Sequence, residues 1–256
     1  LMNHFAEELR NTGYLHNHAR MWFAGWWIHV ERLPWQLGAH FFFKNLLDAD
    51  PASNTLSWRW VAGLQTPGKT YLPRRSNIEK FMSPELLDTL QEGLEILENP
   101  GAFHPGAVEK DPITHPSLEE ELLPDNQNFG IWVHEEDLLP EDSPLSSLTP
   151  KTVLISGNFD AWETFDFCEP KRKWLTTALE DACFRAEKYF RVSPEIVTEV
   201  QQIQALTRWA IREKICQIVA LRPEVGPLND LIPGIRQELA THGVELVLLD
   251  REAERA

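Results

Sequence analysis

Tryptophan is concentrated at the start of this 256-residue chain. Six of its ten tryptophans precede residue 61: Trp22, Trp26, Trp27, Trp35, Trp58 and Trp60. Apolar residues around them recur at helical spacing, and Asp50 before Pro51 is a suitable N-cap and first helical residue. Asn54 and Trp58 follow one and two turns later on the same helix face. These features predict an all-helical unit over residues 1–81 with a bulky aromatic core.

Charge and proline content separate this first part from the rest of the chain. The formal net charge is −15, and residues 76–150 contain two basic against seventeen acidic side chains. Residues 82–150 are therefore predicted to be an acidic, proline-rich connector with one short helix near Pro84–Leu97. The rest of it, from Asn99 to Pro150, is expected to lie over the surface, partly ordered by Phe129, Ile131 and Trp132. The overall charge opposes binding to a polyanion, although residues 1–75 carry a small excess of basic residues that leaves local nucleic-acid contacts open.

Residues 151–256 alternate between apolar runs and amphipathic segments. We expect helices over Pro170–Phe190, Glu195–Arg212 and Leu231–Thr241. We expect strands over Thr152–Ser156, Ile215–Leu221 and Val244–Leu249. Such alternation is typical of βαβ units and a parallel sheet. The predicted fold class is therefore α + α/β, with a helical region followed by a small α/β domain.

Cysteine use and hydropathy restrict the cellular setting. The three cysteines are an odd number without paired spacing, which excludes a disulfide scaffold and indicates a reducing, cytoplasmic compartment. No apolar run approaches the ~18–20 residues of a membrane span, so no membrane partner is expected. Leu1 is not an initiator and no signal-peptide pattern follows it, so we expect a piece of a longer chain.

Common catalytic and metal motifs are missing from the sequence. It has no dinucleotide-binding glycine motif, phosphate-binding loop or nucleophile elbow. The turn at residues 156–158 could hold an anion, but turns of this kind are common. His16 and His18 are two residues apart and should point apart on a helix, and His134 in its acidic run is more typical of a solvated turn. No metal site is predicted.

Three runs between Thr12 and Phe81 carry a resemblance to a known family. They are TGYLHNHARMWFAGWW, LPWQLGAHFFFKNLLDADPASNTLSWRWVAGL and NIEKF. Together they resemble the flavin-binding helical domain of the DNA photolyase/cryptochrome family over about residues 5–81, with the order and spacing of its motifs kept. The resemblance implies FAD as cofactor. It assigns FAD contacts to Asn17, Arg20, Asp48, Ala49, Asp50 and Asn54.

The residue chemistry agrees with this assignment. Asn17, Arg20 and Met21 fall at i, i+3 and i+4, so one helix face can present an amide, a guanidinium and a thioether. By resemblance, Asn17 faces the flavin N5, where a neutral amide can accept a hydrogen bond from the reduced ring. Arg20 and Asp48 are expected to form a buried ion pair. Taken alone, Asn17 could equally be a helix-start residue and Asp50 only an N-cap.

The resemblance also assigns roles to several aromatic residues. Trp58 and Trp35 match the near and middle members of the family's electron-transfer chain. Trp60, Met21 and His18 match substrate contacts, with Trp60 stacking on a damaged base pair. Trp22, Trp26 and Trp27 are interpreted as core, because buried tryptophans usually are.

The resulting hypothesis is a FAD-binding flavoprotein that is similar to photolyases and cryptochromes and transfers electrons under blue light. It includes repair of pyrimidine dimers in damaged DNA, which would make the protein a carbon–carbon lyase. One alternative is a cryptochrome-like photoreceptor without repair. The other is a non-catalytic interaction protein that keeps the helical shell, its protein partner unknown. In the family's usual order the α/β domain precedes the helical domain, and here an α/β segment follows it.

Overall fold

The computed structural model describes residues 1–66, 69–106, 128–198 and 200–251. These residues form two units. A helical unit contains residues 1–106 together with 167–171, and an α/β unit contains residues 128–166 and 172–251. The predicted fold class, α + α/β, is confirmed.

Short helices with well-defined ends build the helical unit. Its α-helices are α1 (Met2–Thr12), α2 (Asn17–Gly25), α3 (Trp35–Asn45), α4 (Pro51–Val61), α5 (Arg75–Phe81) and α6 (Pro84–Thr89). A π-helical turn (Trp26–Val30) extends α2, and a 3-10 turn (Leu94–Leu97) follows α6. The N-cap predicted for α4 is confirmed, since Asp50 Oδ1 accepts a hydrogen bond from the Ser53 backbone N–H at 2.6 Å.

The packing of α3 against α4 fixes the position of Trp58. This indole is 1% exposed and lies over Gly38 of α3. A Cβ atom at Gly38 would lie 2.2 Å from the indole, which is far inside van der Waals contact. Glycine at this position therefore allows the two helices to enclose the tryptophan.

The helical core extends beyond the predicted boundary at residue 81. Leu94 is 2% exposed and Leu97 is 1% exposed, and both belong to the aromatic core of the helical unit. Both residues fall in the segment predicted as a short helix, Pro84–Leu97, and their side chains fill that core. Residues 107–127 of the predicted connector lie outside the described residues.

A five-stranded parallel sheet forms the centre of the α/β unit. Its strands are β1 (Phe129–His134), β2 (Thr152–Ser156), β3 (Glu195–Val197), β4 (Gln217–Leu221) and β5 (Glu245–Leu249), in the spatial order β3-β2-β1-β4-β5. The α-helices of this part of the chain are α7 (Phe159–Thr164), α8 (Glu169–Phe190), α9 (Gln202–Glu213) and α10 (Pro227–Thr241). The register places Ile131 opposite Val153 and Val219, so three apolar residues cross the middle of the sheet.

Two predictions about this unit are wrong. Phe129–His134, assigned to the surface connector, is the central strand and is buried along its whole length. A strand covered on both faces reads as one continuous apolar run, and FGIWVH is such a run despite its acidic flanks. Glu195–Val197, expected at the start of a helix, pairs with β2 as an edge strand, and α9 begins only at Gln202.

Among the helices of the described ranges, none combines the length and the apolar composition needed to cross a lipid bilayer.

Candidate cofactor site

A cavity of about 340 Å³ opens in the helical unit beside α2, α3 and α4. It is lined by Asn17, Arg20, Met21, Ala24, Phe42, Leu46, Asp48, Ala49, Asp50, Ser53, Asn54, Ser57, Trp58, Trp60 and Val61. This volume falls within the range typical of small-molecule sites. All six residues that the family resemblance assigned to the cofactor line this one cavity.

The first polar wall comes from α2. Asn17, Arg20, Met21 and Ala24 repeat at i, i+3, i+4 and i+7 and line the cavity together. The Asn17 amide nitrogen lies 3.7 Å from the Met21 sulfur, a weak interaction that holds the amide only loosely. An exposed amide at the start of this helix can therefore turn towards a stronger partner.

The second polar wall comes from α4 and the residue that caps it. Asp50, Asn54 and Trp58 face the cavity at i, i+4 and i+8, as the sequence predicted. The Asn54 amide nitrogen donates to the Ala39 carbonyl oxygen at 2.8 Å, which leaves the amide oxygen as an acceptor. The N-terminal end of α4, with its positive helix dipole, also lies at this wall.

An ion pair joins α2 to the segment that precedes α4. Arg20 Nη2 lies 3.0 Å from Asp48 Oδ2, and Arg20 Nε donates to the Leu15 carbonyl oxygen at 2.7 Å. The pair forms as predicted, but the prediction that it is buried is wrong. The Asp48 side chain is 58% exposed and that of Arg20 is 24% exposed, so both charges keep contact with solvent. Such a pair contributes little to the stability of the fold by itself.

Trp58 contributes the apolar wall and one polar atom. Its indole Nε1 is buried and has no hydrogen-bond partner among the described residues. Its ring meets Phe42 edge-on with centroids 5.0 Å apart, and Trp27 edge-on at 6.3 Å. A buried N–H without an acceptor is costly, so this atom is an unmet donor on a residue of the cavity wall.

The other aromatic residues singled out in the sequence lie at different distances from the cavity. Trp60 lines it and is 39% exposed, with its ring stacked on Tyr71 at 5.7 Å. Trp35 is 9% exposed and packs in the helical core without lining the cavity. His18 also lies outside the cavity lining, and its ring stacks on Phe81 at 4.6 Å.

The helices around the cavity are similar to a domain of known proteins. Residues 5–85 match the FAD-binding domain of DNA photolyase. Residues 5–85 are therefore similar to the FAD-binding helical domain of the photolyase/cryptochrome family.

Several curated members of this family are similar to the chain over short stretches. Cryptochrome DASH of Idiomarina loihiensis is 32% identical over 80 residues, which cover 31% of this chain and 17% of the relative. Deoxyribodipyrimidine photo-lyase of Streptomyces griseus is 41% identical over 59 residues, 23% of this chain and 13% of the relative. Cryptochrome-1 of Arabidopsis thaliana is 39% identical over 56 residues, 22% of this chain and 8% of the relative.

The chain thus spans less than a fifth of the length of these three relatives. No solved structure is significantly similar to it.

FAD is the cofactor that the matched FAD-binding domain indicates, and the lining of the cavity suits its isoalloxazine ring. A flavin ring needs an apolar wall and polar groups at its edge. The Trp58 indole N–H is an unpartnered donor, the Arg20 guanidinium is a charged donor, and the Asn54 amide offers an acceptor. The donor set and the apolar walls therefore match what the isoalloxazine requires.

Sequence reasoning missed part of the lining. Ser53, Ser57 and Val61 continue the α4 stripe at i+3, i+7 and i+11 from Asp50, so extending the helical period would have found them. Phe42 and Leu46 form a similar i, i+4 pair where α3 ends. Helical periodicity, and no sequence motif, identifies these lining residues.

His29 is a further buried polar residue that the sequence did not indicate. Its ring Nδ1 accepts from the Phe103 backbone N–H at 3.1 Å, and its Nε2 lies 3.0 Å from the Val61 carbonyl oxygen. Nε2 therefore carries the proton and donates to Val61, which fixes one neutral tautomer. Burial lowers the pKa of His29 below its ordinary 6.5.

The turn at residues 156–158 of the α/β unit is filled by the protein itself. One Glu135 carboxylate oxygen accepts from the Asn158 backbone N–H at 2.8 Å and from the Trp162 indole N–H at 2.7 Å. This carboxylate takes the place that the sequence left open for an external anion.

The two predictions about histidine positions are wrong. His134 is 2% exposed rather than solvated, with Nε2 2.9 Å from the Leu221 carbonyl oxygen. His16 and His18 do not point apart, since their rings stack with centroids 5.4 Å apart. The described residues contain no group of three or more histidine, cysteine or acidic side chains that could hold a metal ion.

Proposed function

We propose that the helical unit binds FAD in the described cavity and that blue light drives an electron from Trp58 to the bound cofactor. The observation that supports this most directly is the convergence of the amide, arginine and aspartate groups with an unpartnered indole around one cavity. When bound, FAD supplies a ring that absorbs blue light and accepts electrons one at a time.

Binding is proposed to involve Asn17, Arg20, Asp48, Ala49, Asp50 and Asn54. In this proposal Arg20 offers its guanidinium to the ring, held in place by the Leu15 carbonyl oxygen and by Asp48. Asn17 turns its amide from Met21 towards the ring edge, because a charge-free acceptor there favours a protonated ring nitrogen. Phe42, Val61 and Trp58 exclude water from the ring face.

Electron supply is proposed to begin at Trp58. This indole lines the cavity and is nearly fully buried, so it lies against whatever ring the cavity holds. Loss of one electron turns the Trp58 indole into a radical cation. Trp35 then transfers one electron to it and restores the neutral indole. Trp35 shares the same buried core, which is the support for this second step.

Repair of pyrimidine dimers in DNA is a second candidate function. It is favoured by Trp60, which combines a cavity-lining position with 39% exposure and so offers a flat apolar face to an extruded base. Met21 lines the same cavity beside it. In this reaction an electron from the reduced cofactor opens the cyclobutane bonds of the dimer and then returns.

The test of the first proposal is photoreduction of the FAD-loaded protein. Blue light with an external thiol should bleach the flavin absorption, and Trp58→Phe should abolish bleaching while FAD stays bound. The indole N–H is lost in this variant, so FAD affinity should fall by no more than about tenfold. Trp22→Phe is the matched control, since Trp22 is buried and its N–H already donates to Asn77 at 2.9 Å. Unchanged bleaching in Trp58→Phe would contradict the assigned donor.

Binding to DNA that contains a pyrimidine dimer separates repair from the other candidate functions. Binding should be detectable near ~50 mM salt and weaken steeply as salt rises. Undetectable binding together with photoreduction would favour a photoreceptor. Failure of the protein to take up FAD would instead support the third candidate, a non-catalytic interaction protein that keeps the helical shell.

The proposed location is the cytoplasm. All three cysteines lie within the described residues and remain thiols rather than disulfides. Recovery of the protein in an oxidised, extracellular fraction would contradict this.

A further inference from the structure

Trp58 contacts Trp27, whereas the residue proposed above to return an electron to it is Trp35. Its ring meets Trp27 edge-on, with centroids 6.3 Å apart and planes at 84°. Among the described residues, no ring contact links Trp58 with Trp35. The direct aromatic neighbours of the cavity tryptophan are therefore Trp27 and Phe42.

The π-helical turn sets the position of Trp27. In this turn the Glu31 backbone N–H bonds to the Trp26 carbonyl oxygen at 3.1 Å, one residue beyond the usual helical spacing. Local π-helical turns of this kind occur frequently at functional sites. His29 fixes the turn against α4, because its ring bridges Phe103 and Val61. Trp27 is thereby held beside the helix that contains Trp58.

The other end of Trp27 reaches the protein surface. Its indole N–H donates to the Pro34 carbonyl oxygen at 2.9 Å in an exposed hydrogen bond, while its ring packs against the core. Trp27 therefore contacts Trp58 at one side and solvent at the other. Trp35, in contrast, is buried.

We propose that Trp27 is a second electron donor to Trp58 and opens a route to solvent in parallel with Trp35. This inference rests on the proposed function of the cavity. After Trp58 has lost an electron to the bound cofactor, Trp27 transfers one electron to the Trp58 radical cation and restores its neutral indole. The oxidised Trp27 then releases its N–H proton to water beside Pro34, and an external thiol returns one electron and one proton to it.

The experiment compares Trp27→Phe, Trp35→Phe and the double variant in the FAD-loaded protein. Each single change should slow the initial rate of photoreduction by about twofold, whereas the double variant should lose about tenfold or more, because parallel routes are non-additive. Trp26→Phe is the matched control. Trp26 belongs to the same π-helical turn, and its ring contacts Phe23 at 5.5 Å rather than Trp58.

Transient absorption supplies a second readout that does not depend on turnover. In Trp35→Phe, a deprotonated tryptophan radical should still appear and should decay faster when thiol is added, since Trp27 is open to solvent. Adding Trp27→Phe should remove that long-lived radical. Thermal unfolding of the cofactor-free variants shows whether each one keeps its fold.

Equal photoreduction and equal radical signals in Trp35→Phe and in the double variant would overturn the Trp27 route. A Trp27→Phe variant that matches the unaltered protein in both measurements would overturn it as well. A complete absence of photoreduction in the unaltered FAD-loaded protein is a different outcome, since it would refute the proposed function too.

Discussion

The cavity of the helical unit and the carboxyl edge of the parallel sheet are both positions where proteins commonly bind ligands, yet their polar groups differ. In the cavity, the buried Trp58 N–H has no partner among the described residues, and Asn17 has only a weak one. At the sheet edge, Glu135 accepts from the backbone of Asn158 and from Trp162, although Gln202 Oε1 there has no partner among the described residues. The Glu135 carboxylate therefore stabilises the fold, whereas the cavity keeps polar groups whose partners within the described chain are weak or absent.

The largest expected effect comes from changing Gly38 to alanine. The added methyl group would lie 2.2 Å from the Trp58 ring, so the indole must move out of place. Overpacking of about 1–3 kcal/mol at the cavity wall corresponds to roughly a ten- to hundredfold loss of FAD affinity. Titration with FAD, followed by quenching of its fluorescence, measures this loss. Gly101→Ala is the control, because its Cβ would meet nothing within 4 Å. Equal affinity in both variants would show that the cavity does not depend on Trp58.

Removing the carboxylate at the sheet edge should affect stability and leave FAD binding unchanged. Glu135→Ala leaves the Asn158 N–H and the Trp162 indole without their acceptor, at a cost of about 1–3 kcal/mol. Denaturant unfolding, monitored in the α/β unit, should show a lower midpoint. Glu180→Ala on the exposed face of α8 is the control and should lie within about 0.5 kcal/mol of the unaltered protein. Weaker FAD binding in Glu135→Ala would contradict the comparison.

Acid should destabilise both units through one buried histidine in each. Burial lowers the pKa of His29 and of His134 below 6.5, so the unfolded chain binds more protons than the folded one just below that pH. Stability is therefore fully present above pH 6.5 and falls as the pH drops towards the folded-state pKa values. The slope should reach about 1.4 kcal/mol per pH unit for each histidine.

Unfolding midpoints measured between pH 5 and 8 test this dependence. His29→Gln should flatten the slope for the helical unit, whereas His4→Gln, at a half-exposed site, should not. A stability that rises on acidification would contradict the neutral, buried state of His29.

The smallest expected effect concerns the ion pair at the cavity. Asp48→Asn removes the partner of Arg20, but the aspartate is 58% exposed, so the FAD-free protein should lose less than about 1 kcal/mol. Glu79→Gln, which breaks the exposed pair with Arg75, should have a similar effect. Thermal unfolding of the two cofactor-free variants measures both. A loss well above that of Glu79→Gln would mean that the cavity pair supports the fold after all.

Much of the cavity could be predicted from the sequence because it follows helical periodicity. Asp50, Asn54 and Trp58 share one face of α4, and Asn17 with Arg20 share one face of α2, so spacing alone groups them. The N-cap at Asp50 could also be predicted, because it depends only on residues that are neighbours in sequence.

Features that depend on distant partners could not be predicted in this way. Phe129–His134 is short and has acidic neighbours, and only its pairing with two other strands makes it central. Trp27 was interpreted as core because buried tryptophans usually are, and its ring does pack against the core, but the sequence did not predict the π-helical turn that sets its position. His29 likewise acquires its role from Val61 and Phe103, which are far away in the sequence.

The central position of β1 has a practical consequence for dissecting the protein. A truncated chain that starts at residue 151 would lack the only element that bridges β2 and β4 in the described sheet. It would be left with two separate strand pairs, each with a newly exposed inner edge prone to aggregation. An excised α/β unit should therefore start upstream of Asn128.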